Sequence, residues 1–252
     1  GARLMLDDIS VVIIVKDGGK TIKATLDALT QFSDVVVYDN GSVDDTLEIV
    51  KKFTNVNLVQ GDFQGFGPTK NKATTYAKND WVLILDSDEV ADKNFISHLK
   101  NESLNDESVY MVNMVSYYKD VRVKYSGWNN EKHVRLYNRN FTQYNNNYVH
   151  EDIETDGFDV VLLQGDIKHY SYQSIHDFII KLDRYSTLFA EQNPNKHSSP
   201  IKAILNAGFS FFKTYILKRG FLDGYVGLVI AFSHMATNFY KYIKLYELNQ
   251  RK

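Results

Sequence analysis

The chain has 252 residues, of which 44% are hydrophobic and 24% charged, with a formal net charge of −2. This balance is typical of a globular protein that buries a full core, as one large domain or one domain with an extension. The absence of cysteine excludes disulfides, zinc–thiolate centres and thiol nucleophiles. No basic start followed by an apolar segment indicates a signal peptide, so the sequence predicts a cytoplasmic protein.

The charges are unevenly distributed along the chain. Residues 196–252 contain nine Lys/Arg and two Asp/Glu, whereas the remaining 195 residues contain 20 and 29. A basic tail on an acidic body predicts an anionic surface as partner. We expect a membrane surface and no nucleic acid.

Apolar runs and helical patterns alternate in the first part of the chain. Strands are predicted over residues 9–15, 35–38, 56–59 and 81–85, and the second and fourth are expected to be buried. Helices are predicted after residues 19 and 45, and a third from about Thr69. This alternation predicts an α/β fold of the Rossmann-like kind, with a doubly wound, mainly parallel sheet and right-handed crossovers.

The pattern changes in the second part of the chain. Segments 109–118, 121–125 and 134–137 are rich in strand formers, which predicts a small mixed β region. From Ile175 the apolar spacing becomes helical, and Pro194 and Pro200 indicate a linker before two aromatic-rich helices. We therefore predict one α/β domain over residues 1–172 and a helical extension over residues 173–252.

The helical extension has the composition of a membrane-associated segment. No charge occurs between Asp223 and Lys241, but polar residues interrupt this stretch. It falls short of the ~20 apolar residues that a membrane span needs. We expect a helix in the membrane interface, with basic residues 213, 218, 219, 241 and 244 toward the headgroups. The alternative is that these helices pack on the catalytic core.

The strand that begins at Trp81 ends in the sequence Asp86-Ser87-Asp88. In open α/β sheets, ligands bind beyond the carboxyl ends of the strands. Two carboxylates there suit Mg²⁺ or Mn²⁺, which are typically shared with substrate phosphates. The alternative is that Asp86 or Asp88 caps the next helix.

Polar residues also follow the first two strands, at Lys16-Asp17 and at Asp39. Asp39 is the best candidate to accept hydrogen bonds from a base or ribose. Lys70 follows a glycine-rich loop and can approach a nucleobase or phosphate. These residues are expected to meet Asp86 in one crevice.

Two other motifs also place acidic residues after an apolar strand. A P-loop NTPase would need Gly-x-x-x-x-Gly-Lys-Ser/Thr, which the chain lacks. Residues 86–90 satisfy the Asp-x-Asp-x-Val pattern of haloacid-dehalogenase-like phosphatases. That pattern normally follows the first strand, however, and the later Gly-Asp-x-x-x-Asp is missing, since Gly165-Asp166 leads to Tyr170.

The sequence resembles a family 2 glycosyltransferase of the GT-A fold, in the branch that contains lipopolysaccharide core β-glucosyltransferases. The matching segments are residues 9–14, 39–46, 65–67, 70–71, 86–88, 134–137, 149–151, 169–172 and 217–224. The resemblance thus covers nearly the whole chain. One departure is Lys16-Asp17-Gly18-Gly19, where relatives often carry Lys-Asn-Glu, and it puts the base contacts of Lys16 and Asp17 in question.

The resemblance implies a nucleotide-diphosphate sugar donor and inversion at the anomeric carbon. It places the general base at Glu151, with Asp152 as second choice; an ordinary glutamate is ionised at neutral pH. The alternative is that these acids cap a loop or pair with Arg135. The metal ligands it implies are Asp88, Asp86 and His169. The donor-binding residues are Lys16, Asp17, Asp39, Lys70, Asp86 and Ser87.

The sequence therefore predicts a metal-dependent, inverting glycosyltransferase. The expected donor is a UDP-hexose, in first place UDP-glucose, and the acceptor a lipopolysaccharide-core or other lipid-linked glycan. The expected location is the inner face of the cytoplasmic membrane, peripherally bound. The alternatives are a haloacid-dehalogenase-like phosphatase and a non-catalytic membrane module that binds sugar nucleotides.

Overall fold

The computed structural model describes residues 6–129 and 131–251, which form two compact units. The first unit contains residues 1–114 and 131–169, and the second contains residues 115–130 and 170–252. The predicted fold class, an α/β sheet followed by helices, is confirmed. The predicted domain boundary after residue 172 stays a prediction, and the units differ from it mainly because residues 115–130 group with the helices.

Nine strands and seven α-helices make up the described chain. The strands are β1 Ile9–Val15, β2 Asp34–Asp39, β3 Val56–Gln60, β4 Trp81–Asp86, β5 Glu89–Ala91, β6 Ser108–Tyr118, β7 Val121–Arg122, β8 Glu131–Asn138 and β9 Asp159–Tyr172. The helices are α1 Ile22–Asp27, α2 Thr46–Val50, α3 Phe66–Thr74, α4 Lys93–Lys100, α5 Ile175–Gln192, α6 Pro200–Phe212 and α7 Gly224–Gln250. A π-helical turn, Lys213–Leu217, and a 3-10 turn, Gly220–Asp223, join α6 to α7.

The sheet begins with four parallel strands in the order β3-β2-β1-β4. Strand β8 pairs antiparallel with β4, and β6, β9 and β5 follow. The predicted mixed region thus continues the parallel sheet. In the register of the parallel strands, Val15 lies opposite Asp39 and Ile14 opposite Asp86. The carboxyl ends of β1, β2 and β4 therefore meet at one edge.

Strands β1, β2 and β4 are buried on both faces, which explains their apolar sequences, whereas the edge strand β3 is partly exposed. All seven residues of β1 are buried. Val11 and Ile13 belong to one hydrophobic cluster, and Val12 and Ile14 to another, because successive side chains of a strand point to opposite faces. The site edge is therefore supported by packing on both sides of the sheet.

Local features correct two expectations in the first unit. Helix α3 begins at Phe66, earlier than the expected start near Thr69, because Pro68 is tolerated in a first helical turn where no N–H bond is needed. The N-cap of α4 is Asp92, whose side chain accepts a hydrogen bond of 2.7 Å from the Phe95 N–H. The alternative role for Asp86 or Asp88 as the cap of the following helix is therefore wrong.

The second unit is built around α7, which packs against both α5 and α6. Its core contains Tyr118, Phe178, Val226 and Ile230. The predicted break between the helices is confirmed, since α5 ends at Gln192 and α6 begins at Pro200. Among the described residues, no helix has the length and apolar character needed to cross a bilayer.

Two of the basic residues expected to face lipid headgroups face α5 instead. The Lys244 Nζ lies 2.8 Å from both Asp183 Oδ1 and Ser186 Oγ. The Lys241 Nζ lies 4.4 Å from the centre of the Phe189 ring. The prediction is therefore wrong for Lys241 and Lys244, because α7 uses them to pack within the helical unit.

Candidate active site

The loops that follow β1 and β2 are tied together by Asp17. Its backbone N–H donates to Ser42 Oγ at 2.8 Å, and its Oδ1 accepts a 2.7 Å hydrogen bond from the Val43 N–H. Asp17 has a φ of +54°, which is uncommon for a residue with a side chain and is stabilised here by these bonds. The neighbouring Lys16 is exposed. Lys16 and Asp17, both predicted to bind the sugar-nucleotide donor, thus lie at the carboxyl edge of the sheet.

The Asp39 carboxylate is fully buried and shapes its own turn. Its Oδ1 accepts hydrogen bonds of 2.9 Å from the Gly41 and Ser42 N–H groups, and its Oδ2 accepts one of 2.5 Å from Ser42 Oγ. These three bonds stabilise the loop between β2 and α2. The predicted contact of Asp39 with a donor base or ribose stays a prediction.

A buried ion pair stabilises the acidic turn between β4 and β5. Arg135 on β8 donates to both carboxylate oxygens of Glu89, at 2.7 and 3.2 Å. Glu89 Oε1 also accepts a 2.6 Å hydrogen bond from the Asp86 N–H. The Ser87 carbonyl accepts a hydrogen bond of 2.9 Å from Thr25 Oγ1. Side chains from three elements therefore fix the backbone of this turn.

The two acids at the ends of this turn have opposite pKa shifts. Burial favours the neutral form of Asp86, but the positive charges of Lys70 and Arg135 outweigh it and lower the pKa of Asp86. Burial dominates at Glu89 and raises its pKa, although Arg135 opposes the shift. The turn thus presents Asp86 as an anion beside two cations.

Asp88 and His169 form the other part of the acidic site. The antiparallel pairing of β5 with β9 puts His169 opposite Glu89, and His169 Nε2 lies 3.3 Å from Asp88 Oδ2. Burial alone would lower the pKa of His169. The hydrogen bond to Asp88 and the charges of Asp88, Glu89 and Asp86 outweigh burial and raise this pKa to about 9.

The predicted metal ligands do not form a complete cluster. Among the described residues, no three His, Asp or Glu side chains converge in a way that could hold a metal ion. Asp86 lies with cations instead, its Oδ1 3.7 Å from Lys70 Nζ and its Oδ2 4.0 Å from Arg135 Nη2. Asp88 and His169 do lie together and are partly exposed. A Mg²⁺ or Mn²⁺ ion held by Asp88 and His169 would displace the proton that the raised pKa keeps on His169, and it would take its other ligands from phosphates and water.

Lys70 connects the predicted base to the acidic turn. Its Nζ lies 2.6 Å from Glu151 Oε1 and 3.7 Å from Asp86 Oδ1, and the Lys70 side chain is 4% exposed. The Tyr144 ring centre is 5.1 Å from the same ammonium group. The alternative that Glu151 pairs with Arg135 is therefore wrong. Asp152, the second choice for the base, is exposed.

The segment that carries Glu151 is docked on the start of α3. The Phe66 N–H donates to the Tyr148 carbonyl at 2.8 Å, and the Gly67 N–H donates to the Asn147 carbonyl at 3.0 Å. These N–H groups have no partner within a helix, so the docked segment satisfies them. A Cβ at Gly67 would lie 2.0 Å from the Asn145 carbonyl oxygen. Only glycine permits this close approach.

The sequence analysis did not assign a supporting role to Glu89 or Tyr144, and it considered Arg135 only as a partner of Glu151 or Asp152. A signal for Arg135 exists in the sequence, because it is the one charge in the apolar run Val134-Arg135-Leu136-Tyr137. Arginine is rarely buried without a partner. The identity of that partner depends on strand pairing, which the local sequence does not give.

Two solved structures show similarity to this chain over different shares of its length. Staphylococcus aureus TarS 1–349 in complex with UDP-GlcNAc aligns with 96% of this chain and 91% of its own, at 17% identity and a TM-score of 0.45. Against a longer TarS chain, the protein spans 45% of the length. Glucosyl-3-phosphoglycerate synthase from Mycobacterium tuberculosis in complex with Mn²⁺, UDP and phosphoglyceric acid aligns with 44% of this chain and 43% of its own, at 22% identity and a TM-score of 0.35.

Sequence comparison identifies the family. Residues 10–167, more than half of the chain, match the sequence model of glycosyl transferase family 2. An uncharacterized glycosyltransferase of Rickettsia typhi is 26% identical over 261 residues, covering 96% of this chain and 87% of its own. The lipopolysaccharide core biosynthesis glycosyltransferase LpsC of Rhizobium meliloti is 24% identical over 248 residues, covering 89% of each chain. The protein is therefore a glycosyltransferase and belongs to glycosyltransferase family 2.

Proposed function

We propose that this glycosyltransferase moves a hexose, in first place glucose from UDP-glucose, onto a lipopolysaccharide-core or other lipid-linked glycan, with inversion at the anomeric carbon. The observation that carries the proposal is the position of Lys70, 2.6 Å from Glu151 and 3.7 Å from Asp86. It brings a candidate base and the acidic turn together at the sheet edge where α/β proteins bind ligands. The similarity to LpsC supports the acceptor class.

In this proposal the donor lies along the carboxyl ends of β1, β2 and β4. Lys16, Asp17 and Asp39 contact the nucleoside, and Ser87 and Lys70 contact the diphosphate side. The loops that carry Asp17 and Asp39 are already joined by hydrogen bonds through Ser42, so little ordering would accompany binding.

Asp88 and His169 would hold a Mg²⁺ or Mn²⁺ ion. A bound divalent cation supplies positive charge that stabilises the departing diphosphate. Asp86 keeps its negative charge because Lys70 and Arg135 lower its pKa. It thereby anchors the Lys70 ammonium group at the same edge of the site.

Glu151 would accept the proton of the acceptor hydroxyl as that oxygen attacks the anomeric carbon. A positioned general base typically contributes a factor of about 10² to 10⁴ to the rate. Lys70 fixes the Glu151 carboxylate at 2.6 Å, and the docking of residues 147–148 on α3 fixes its backbone. A lipid-linked acceptor would place the enzyme peripherally at the cytoplasmic face of the membrane.

The test compares wild-type protein with Glu151→Gln and with Asp152→Asn as the matched neighbour. UDP-glucose, MnCl₂ and truncated-core lipopolysaccharide are the reactants, and the readouts are UDP release and calorimetric UDP binding. We expect Glu151→Gln to bind UDP like the wild type and to lose at least about 10²-fold in transfer. Asp152→Asn should retain transfer.

Each part of the proposal is contradicted by a different result. Transfer at the wild-type rate by Glu151→Gln would overturn the role of Glu151. UDP binding without UDP release from UDP-glucose would overturn the proposed donor. A product with the donor's anomeric configuration by NMR would contradict inversion.

A further inference from the structure

Helix α6 presents an apolar face to solvent. Ile201, Ile204, Leu205, Phe209 and Phe212 are each at least 49% exposed, and Ile201 reaches 71%. Their spacing puts them on one side of the helix. These five residues are named the α6 face. Large exposed apolar patches mark contact surfaces for proteins or membranes.

The opposite side of α6 is already used for packing. Ala203 and Ala207 are buried, and the Asn238 amide of α7 donates to Ser210 Oγ at 2.9 Å. The Thr214 hydroxyl, just beyond α6, lies 3.1 Å from Nδ1 of His234 on α7. The second unit thus anchors α6 by small and polar residues. The large apolar residues are left facing outward.

The apolar surface continues past the end of α6. Leu217, Phe221 and Leu222 in the turns before α7 are also exposed. These turns contain a left-handed residue, Arg219, with a φ of +57°. The exposed surface therefore comprises a helix and a shaped loop.

The chain segment that carries this surface has charges of one sign, and Asp223, which follows it directly, has its carboxylate bonded to the backbone N–H groups of Lys124 and Tyr125. Between Glu191 and Asp223 the sequence contains five basic residues and no acidic one. Of these, Lys213, Lys218 and Arg219 are exposed and follow the α6 face directly. Basic side chains next to an apolar helix face are the pattern of helices that lie in the interface of anionic membranes.

We propose that the α6 face, with Leu217, Phe221 and Leu222, docks on an anionic lipid bilayer, the helix lying in the interface with Lys213, Lys218 and Arg219 at the headgroups. The helix has 13 residues, too few to cross a bilayer. A second copy of the chain fits this surface less well. A two-fold contact buries the same patch of both copies and would bring the basic side chains of both into one interface.

This inference rests on the proposed membrane location of the transferase and names the surface responsible. The test is flotation of the full chain with vesicles of phosphatidylcholine alone or with added phosphatidylglycerol, without donor or acceptor. We expect binding to the anionic vesicles, weaker binding to neutral ones, and partial loss of the anionic binding at high salt. Absence of binding to the anionic vesicles would overturn the docking surface and would not affect the proposed transfer from UDP-glucose.

The matched variants separate this surface from general hydrophobicity. Leu205→Glu combined with Phe209→Glu should reduce the anionic-vesicle partition at least tenfold. Leu162→Glu on β9 changes another exposed leucine of the first unit and should bind like the wild type. Circular dichroism and sedimentation velocity are recorded on all proteins.

Three results would overturn the proposal. The first is wild-type protein that stays out of the anionic vesicle fraction at low salt. The second is equal flotation of the double variant and the wild type. The third is sedimentation of the wild type as a dimer and of the double variant as a monomer, which would assign the surface to a second copy of the chain.

Discussion

Arg135 shows how one buried residue determines the shape of the acidic turn. Its guanidinium donates hydrogen bonds to both carboxylate oxygens of Glu89, and Glu89 in turn accepts a hydrogen bond from the backbone N–H of Asp86. Arg135 also donates to the Ile84 carbonyl at 3.3 Å. A planar, doubly bonded pair of this kind fixes orientation as well as distance. The residue acts on the site through Glu89.

Replacing Arg135 by methionine should destabilise the protein strongly. The change leaves Glu89, which is 1% exposed, without its cation. Breaking a buried pair by removing one partner costs roughly 3–5 kcal/mol because it leaves an uncompensated charge. The measurement is the free energy of unfolding in urea, followed by circular dichroism.

Two variants control for this expectation. Lys23→Met removes one partner of the exposed Lys23–Asp27 pair on α1, whose i,i+4 geometry is worth about 0.3–0.5 kcal/mol. Combining Arg135→Met with Glu89→Leu should recover much of the lost stability, because both buried charges are then gone. A loss below about 1 kcal/mol for Arg135→Met, on the scale of surface substitutions, would show that Glu89 finds another partner.

At the scale of elements, the site depends on the contact between α3 and the segment that leads to Glu151. Gly65, with a φ of +97°, lets the chain enter α3, and Gly67 allows the Asn145 carbonyl to approach the helix backbone. Phe63 and Tyr148 stack edge-to-face at 5.5 Å beside this contact. The glycine-rich loop therefore positions a predicted catalytic residue that lies far away in sequence.

Gly67→Ala should displace this segment and reduce transfer. The added Cβ would meet backbone, which cannot rotate away, so we expect a loss of about 1–3 kcal/mol in stability together with lower turnover of UDP-glucose. Gly208→Ala on α6 is the matched control, since nothing lies within 4 Å of its added Cβ. That variant should gain about 0.5–1 kcal/mol from helix propensity. Equal turnover of Gly67→Ala and wild type would refute the positioning role of α3.

The elements that the sequence predicted share a local cause. Strands β1, β2 and β4 contain continuous apolar runs because packing covers both faces of the sheet there, and α5 shows its helical period over 18 residues. Strand β9 was not predicted, because residues Val160, Val161 and Leu162 are apolar yet exposed and so hide the alternation. Strand β5 has three residues and exists through its pairing with β9.

The site was predictable where residues lie at strand ends and not where distant elements meet. Asp39 and Asp86 follow apolar runs, so their places at the sheet edge could be read from the sequence. The pairing of Lys70 with Glu151 joins residues 81 positions apart, and the pairing of Arg135 with Glu89 joins residues 46 apart. Such contacts depend on the order of strands and on loop docking, which no local pattern contains.

At the scale of the whole molecule, two kinds of chemistry occupy different parts of the chain. Acidic and basic side chains of the first unit alternate around the candidate site as ion pairs, Lys70 with Glu151 and Arg135 with Glu89. All charged residues in the segment between Glu191 and Asp223 are basic. Paired charges suit a site that orders a charged substrate, whereas charge of one sign suits an extended anionic surface.

Because the metal site is incomplete, we expect Mn²⁺ and UDP to strengthen each other's binding to the enzyme. Only Asp88 and His169 lie together among the described candidates, so Mn²⁺ alone should bind weakly. UDP adds phosphate oxygens, and each ligand should therefore strengthen binding of the other. Linkage requires the two factors to be equal, and couplings of this kind are typically about 5- to 150-fold. The measurement is calorimetric titration of UDP with EDTA or with Mn²⁺, and of Mn²⁺ with or without UDP.

Asp88→Ala should remove most of this coupling and leave UDP affinity in EDTA unchanged, because Asp88 has no proposed contact with UDP except through the ion. Association of Mn²⁺ with UDP in buffer is measured separately and subtracted, so that the remaining coupling belongs to the protein. UDP affinity that is the same with EDTA and with Mn²⁺ would show a transferase that does not use the ion for donor binding. Coupling retained in Asp88→Ala would place the ion elsewhere. Since the Lys70 and Arg135 charges act on Asp86 in both titrations, neither result can arise from those cations alone.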